Sequence, residues 1–577
     1  MGAANRPLRL TLYALLGAIL YLPGLGRPAL WEPDEGRYAE IAREMVVSGD
    51  YVTPRDDFEL YFEKPPLVYW ANAASIKIFG VNEFAVRLPA ALFSVGQIVV
   101  TAASAEMMFG IASGFFAALV LALSPLFFGF ARFATLDPAL AFFLTAALGA
   151  FYVAARDDSF SQPSARRWML ISAAMLAMGT LTKGPIALLL GGAIAMTWLV
   201  VEHRLRQVAQ MPLVWCGAIY AAIVLPWFIL MEVRNPGFLR FFFIHEHLER
   251  YVSSSEHGWG PWFFIPIVIG GMWPWIFFVP LGWSEMRSAD NGSESGPTLS
   301  QRRADATFLA IWFIVVFVFF SIPRSKLGSY ILVALPPLAI VAGYGLTRLW
   351  AIKDASRRRL LAVIAIANLV PAAAVFMFFE LARPPINPAL GFDGLLIGAV
   401  LTVGAIAMYA LGRGALHVPY AIGALVLAML ASVPLAARLR EDASSISTYR
   451  NLANAVRPYL AGDCALASYR HYVQSLPFYT HSRETRVEYW GELSEVSPPV
   501  GGKSPYLIGS ETRLRQVWSS GSCMVLIANE RDLKGLDDSL KPAPVVVGCE
   551  GKKFALYNGA LAPPPSAATC LEASVKK

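Results

Sequence analysis

The chain has 577 residues, of which 56% are hydrophobic and 15% charged, with a mean hydropathy of +0.51 and a net charge of +7. That composition excludes a string of soluble domains and describes a polytopic helical membrane protein. In such a chain the placement of the cations says more than their sum, and no nucleic-acid partner follows from it.

Residues 8–25 follow Arg6 and Arg9 as a signal sequence would, but no small-residue cleavage site comes after them, so they read as an uncleaved first span. Directly behind comes a segment, 31–70, dense in charge and in aromatic residues: Asp34, Glu35, Arg37, Glu63 and Lys64 among tyrosines and tryptophans. It reads as two short helices. Tyr38, Ile41, Ala42, Met45 and Val46 recur at helical spacing, which predicts a face lying in the lipid headgroup layer. Ser48 and Gly49 end that helix, and Pro65-Pro66 opens the second. Taken singly, Asp34 reads as an N-cap and Glu63-Lys64 as a solvated pair. Their co-occurrence beside a membrane points to a site.

Further apolar runs lie at 81–109, 111–130, 136–155, 166–182, 184–201, 212–232, 261–283, 305–323, 328–350, 358–381, 391–412 and 415–437, which predicts about thirteen membrane helices. Alternate loops carry Arg156, Arg166 and Arg167, then Arg204 and Arg206, Arg287, Arg302 and Arg303, Arg348 to Arg359, and Arg413. With Arg6 and Arg9 these mark the cytoplasmic side. The opposite loops hold Asp137, Lys183, the stretch 232–260, Arg324 and Lys326. Cations that break the inside bias need a reason, and these gather near carboxylates. The expected domains are therefore a transmembrane part, 1–437, with a juxtamembrane catalytic segment at 31–80, and a small extracytoplasmic α/β domain, 438–577. In the latter, strands are expected at 464–468, 486–490, 506–509, 524–528 and 544–548, helices at 472–479 and 511–518, and a disordered end. Cys464, Cys523, Cys549 and Cys570 permit disulfides there, their pairing open, whereas Cys216 reads as packing.

The segment Asp34-Glu35-Gly36-Arg37-Tyr38-Ala39-Glu40-Ile41 with Tyr61-Phe62-Glu63-Lys64-Pro65 strongly resembles the bacterial lipid A aminoarabinose transferases, members of the membrane mannosyltransferase-like superfamily with the GT-C fold. The resemblance extends through Arg132 to Pro138, Leu181 to Pro185, Phe242 to Tyr251 and Ser325 to Tyr330. It implies an inner-membrane enzyme whose site faces the periplasm, with a sugar, 4-amino-4-deoxy-L-arabinose above all, moving from undecaprenyl phosphate to lipid A with inversion. Asp34 corresponds to the family's catalytic aspartate.

The residues can be read against that chemistry. A leaving polyprenyl phosphate gains a negative charge, so cations near it act more on the transition state than on the ground state. Lys64, Arg250 and Lys326 are the expected phosphate clamp, with the Tyr330 hydroxyl as a further donor and Lys183, Arg324, Arg37 and His245 in support. Asp34 and Glu63 either position the acceptor, act as base, hold the sugar's ammonium group or bind a divalent metal, to which His245 or His247 would add a weak ligand signal. Asp137 reads as a helix cap or a support of the site, and the tryptophans 259, 262, 273, 275 and 283 as interfacial anchors. The small-residue runs at 191–193 and 343–345 read as close helix packing. Competing readings are the same transfer to another glycan or to a protein hydroxyl, and a lipid-linked sugar flippase.

Overall fold

The computed structural model describes residues 5–156, 160, 162–249, 258–288, 298–370, 388–412, 418–444, 448–460, 464–489 and 506–559. By its internal contacts the chain divides into two compact units, Met1–Leu25 with Leu88–Leu439, and Gly26–Arg87 with Arg440–Lys577. The segment 31–80, expected to belong with the transmembrane part, is thus in one unit with the C-terminal residues.

The first unit is helical. In chain order its elements include α1, Arg6–Tyr21; then, after α2 and α3 of the other unit (Asp34–Ser48 and Leu67–Phe79), α4, Glu83–Phe109; α5, Ile111–Leu123; α6, Pro125–Ala131; α7, Asp137–Arg156; α8, Pro163–Lys183; α9, Ile186–Val201; and α10, Leu213–Arg234. Among the described residues seven helices are long and apolar enough to cross a membrane, or nine if each of two bent pairs is one span. That leaves the expected count of about thirteen unconfirmed, for local reasons. α1 and α9 have only 16 residues each, and half of the run at 358–381 lies outside the described residues. The bends have sequence causes. Ser124 is extended ahead of Pro125, which breaks α5 from α6 at 68°. Helices approach where side chains vanish: a Cβ at Gly343 would stand 2.6 Å from the Ala117 amide nitrogen, and one at Gly345 2.4 Å from the Phe278 carbonyl oxygen.

In the second unit α2 ends, as its sequence predicts, at Gly49 in the left-handed region with φ 72°, and α3 follows Pro66. Asp34 is the first helical residue, not the cap, which is Pro33. The headgroup-facing stripe is not found. Residues 35–45 are all buried, so α2 is an interior helix whose charged side chains are enclosed with its apolar ones. A two-residue antiparallel pair, β1 (Arg55–Asp56) with β2 (Glu59–Leu60), lies between α2 and α3.

The C-terminal residues form a six-stranded sheet in the order β5-β4-β3-β6-β8-β7, with β3 Ala465–Tyr469, β4 Glu484–Val487, β5 Leu507–Ile508, β6 Met524–Asn529, β7 Val545–Glu550 and β8 Lys553–Tyr557. β3 to β6 run parallel and β8 and β7 antiparallel to their neighbours. The expected strands and both helices recur with shifted ends; β8 was not foreseen, because Lys-Phe-Ala-Leu-Tyr follows a two-residue turn and merges by composition with the strand before it. Trp518, Leu526 and Leu556 centre the core. Cys464 and Cys523, at the entrances of the adjacent strands β3 and β6, are joined by a disulfide across 59 residues, which resolves part of the open pairing; Cys570 lies outside the described residues. A loop of that length is constrained by about 4 kcal/mol in the chain-entropy model. Replacing both cysteines by serine is expected to lower the stability of residues 448–559 by roughly 2–5 kcal/mol, measured as earlier proteolytic cleavage within that region on heating, and unchanged cleavage would contradict it.

Candidate functional site

The start of α2 is held by one buried guanidinium. Arg87 and Glu35, both with no exposed surface, meet through two parallel bonds of 2.7 Å, Nε to Oε1 and Nη2 to Oε2. Arg87 also donates to the carbonyls of Pro28 (2.6 Å) and Ala29 (2.8 Å), and Glu35 accepts from the Trp31 amide at 3.0 Å. Arg440 approaches the same carboxylate at 3.4 Å. The chain from Pro28 to Glu35 is therefore wrapped round a fixed cation, and Asp34, half-buried, leaves from its edge. Gly36 has a packing reason: a Cβ there would stand 2.7 Å from the Ser475 amide nitrogen. The motif Asp34-Glu35-Gly36-Arg37 thus contains a buried anchor and a close approach beside its catalytic candidate.

Close by, Tyr61 donates to Glu63 (3.2 Å), Lys64 lies 3.9 Å from the same carboxylate, and the Arg37 guanidinium stands over the Tyr61 ring at 5.8 Å. Tyr69 is fully buried, and its hydroxyl has no hydrogen-bond partner among the described residues. Burial first, then the charge of Glu63, pushes its phenol well above the usual range, with weaker influences of Arg37, Asp56 and Asp34. Tyr69 thus feels the charges of Glu63, Arg37 and Asp34, three of the residues that the sequence reading singled out. Neither Tyr69 nor Arg87 was singled out by sequence. The signal for Arg87 was present, a lone arginine at the entrance of a long apolar helix.

The same unit encloses further acids. Glu32 accepts from the amides of Gln474 (3.1 Å) and Ser475 (2.9 Å), and burial pushes its carboxyl up to about 7. Glu484, also raised by burial, reaches about 8. Asp57 accepts from the Glu484 amide at 2.9 Å, Glu59 pairs with Arg486, and Glu40 with Arg43 through bonds of 2.7 and 2.5 Å.

In the first unit, Asp137 opens α7 and Lys183 closes α8, and the two are ion-paired. The Lys183 ammonium also sits over the Tyr330 ring at 4.3 Å, so Asp137, Lys183 and Tyr330 form one cluster. Asp137 is thereby a partner of a cation and not only a helix cap. Lys326, 2% exposed, donates to the carbonyls of Trp259 (3.0 Å) and Pro323, and burial lowers its pKa. An isolated antiparallel bridge joins Gly258 to Ser325, beside Lys326. His245 is exposed and packs its ring on Phe241 at 5.1 Å. Arg250 lies outside the described residues, as does the side chain of His247. Among the described residues no three His, Cys, Asp or Glu side chains come together to hold a metal ion.

Comparison with known proteins gives concordant likenesses. A family model described as dolichyl-phosphate-mannose-protein mannosyltransferase matches residues 8–242. The chain is 31% identical over 480 residues to the undecaprenyl phosphate-alpha-4-amino-4-deoxy-L-arabinose arabinosyl transferase of Erwinia tasmaniensis, covering 79% of this chain and 82% of the relative. It is 30% identical over 398 residues to the protein of the same name from Pseudomonas aeruginosa, covering 67% and 68%. A crystal structure of ArnT from Cupriavidus metallidurans bound to undecaprenyl phosphate superposes with a TM-score of 0.85 at 28% identity, covering 98% of this chain and 100% of that one.

Removing one partner of a buried pair strands the other charge. Arg87→Ala is therefore expected to destabilise the second unit by about 3–5 kcal/mol, read as a lower melting temperature, and a wild-type melting curve would contradict the anchor. The raised acids set a pH dependence. A carboxyl held at about 8 when folded and near 4.5 when unfolded binds more protons in the folded state between those values, so its contribution is full below 4.5 and lost as pH rises through 8. Glu484→Gln should remove that loss, and the stability gap between variant and wild type should widen in the variant's favour from pH 5 to 8; a pH-independent gap would refute the assignment.

Proposed function

We propose that this chain, which belongs to the undecaprenyl phosphate-alpha-4-amino-4-deoxy-L-arabinose arabinosyl transferase family of membrane glycosyltransferases, carries 4-amino-4-deoxy-L-arabinose from undecaprenyl phosphate to lipid A at the periplasmic face of the bacterial inner membrane. The observation that carries the reading is the near-complete superposition on a relative that holds undecaprenyl phosphate. Two features support the orientation: the arginine-rich loops on the side of Arg6 and Arg9, and the Cys464–Cys523 disulfide, which suits an oxidising compartment for the C-terminal residues.

The reaction is a displacement at the anomeric carbon. A phosphate oxygen of the acceptor forms the new bond, the bond from that carbon to the donor phosphate breaks, and its electron pair stays on undecaprenyl phosphate, which leaves as a monoester with one more negative charge. The acceptor is already ionised near neutral pH, so it needs orientation more than deprotonation. In this reading Asp34 and Glu63 orient the ammonium-bearing sugar and the acceptor, with the Tyr61 hydroxyl fixing Glu63. Lys64 and Arg37 meet phosphate charge. In the first unit Lys183, aimed by Asp137, contributes in the same way with Tyr330, and Lys326 orders the turn ahead of Tyr330. Arg250 and His245 are further phosphate contacts by sequence. A cation at about 4 Å from the growing charge is worth about 4 kcal/mol at an effective dielectric near 20, before desolvation.

The purified full chain, given the lipid-linked aminoarabinose donor and lipid A, is expected to add one aminoarabinose increment by mass spectrometry. Asp34→Asn should reduce the rate roughly 10²-fold by loss of orientation, and Lys64→Ala about 10²–10³-fold, with folding unchanged on a melting curve. Full activity of Asp34→Asn would withdraw its role. Transfer to a peptide hydroxyl, with none to lipid A, would favour the protein-acceptor reading that the mannosyltransferase likeness brings with it.

A further inference from the structure

A cavity of about 380 Å³ opens between α7, α8, α9 and α10, all within the first unit. Its lining follows helical stripes: Met169, Ala173 and Leu176 on α8 and Leu213, Gly217 and Tyr220 on α10 recur at three- and four-residue intervals. Space is left by glycine, since a Cβ at either Gly192 or Gly217 would meet nothing within 4 Å. Three side chains in the lining carry polar hydrogens, and each is already satisfied by protein. Ser172 donates to the Ala147 carbonyl (2.8 Å), Tyr220 bonds Thr180 (2.9 Å), and the Cys216 thiol reaches the Met169 carbonyl at 3.7 Å. No polar hydrogen of the lining is left for water or a sugar, and an apolar gap of this size in a bilayer loses dispersion contacts unless hydrocarbon fills it.

Charge lies beyond one end of the gap. One turn before Met169, on the same stripe of α8, stands the exposed Arg166, and Arg167 is its neighbour. The cavity reaches Phe151 on α7 and Met169 on α8, each 14 residues, or about 21 Å along an ideal helix, from the Asp137 and Lys183 ends. Its arginine end is therefore at the opposite helix ends from that ion pair.

We infer that this slot holds an acyl chain of an anionic bilayer phospholipid whose headgroup is met by Arg166. The lipid fills the gap that Gly192 and Gly217 leave and fastens α10, the most lipid-exposed of the described spans, to α8 and α9.

The test uses the full chain in lipid nanodiscs with photoreactive phosphatidylglycerol or phosphatidylcholine carrying a diazirine near the acyl terminus, and maps the adducts by peptide mass spectrometry. Phosphatidylglycerol should label the lining of α8, α9 and α10 in preference to the outward-facing Val214 and Val233, and more than phosphatidylcholine does. Arg166→Gln should erase that headgroup preference. Gly192→Leu should abolish slot labelling, with Gly217→Leu as the second filler should the first not fold. Labelling equal for both headgroups, spread over Val214 and Val233, or insensitive to the filling variants overturns the inference. Displacement of the label by added undecaprenyl phosphate also overturns it, by giving the slot to the donor's own chain.

Discussion

The second unit depends on the placement of one cation, Arg87, in an interior it could not enter alone. A buried guanidinium is tolerated when its donors are met, and here a carboxylate takes two while the carbonyls of Pro28 and Ala29 take one each. The result is positional. Glu35 cannot move without stranding Arg87, so the first turn of α2 is fixed, and the carboxylate one residue earlier, Asp34, is presented from a rigid support. Such a pair adds little net stability compared with an apolar core; its value lies in allowing only one arrangement.

The same logic recurs around it. Glu40 with Arg43, Glu59 with Arg486 and Glu32 on two amides are enclosed charges or acids, each with its partner. Where partners are neutral amides, as for Glu32, burial wins over hydrogen bonding and the carboxyl is raised. The first unit uses fewer charges: Asp137, Lys183 and Tyr330 make one cluster where two helix ends meet, and Lys326 spends its donors on backbone carbonyls.

What the sequence made legible was local. Gly49 and Pro66 bounded α2 and α3, proline and glycine punctuation placed most spans, and β-branched runs placed most strands of the C-terminal sheet. The family and its chemistry were legible in the Asp34-Glu35-Gly36-Arg37 and Glu63-Lys64-Pro65 stretches. The rest was not local. Glu35 lies 52 positions from Arg87, and Arg486 lies 427 from Glu59, so no periodicity could show that α2 is interior and not a surface helix. Span boundaries blurred for another reason, since short or broken helices such as α5 with α6 look continuous when hydropathy is all that is read.

The account rests on growth of negative charge on a departing polyprenyl phosphate. Phosphorus NMR of the purified chain turning over with the lipid-linked aminoarabinose donor and lipid A tests it directly. The account predicts that the donor's diester signal is replaced, one for one with each sugar transferred, by the monoester of undecaprenyl phosphate and a new diester on lipid A. Sugar transfer without that monoester, or monoester release without transfer in the complete reaction, would contradict it.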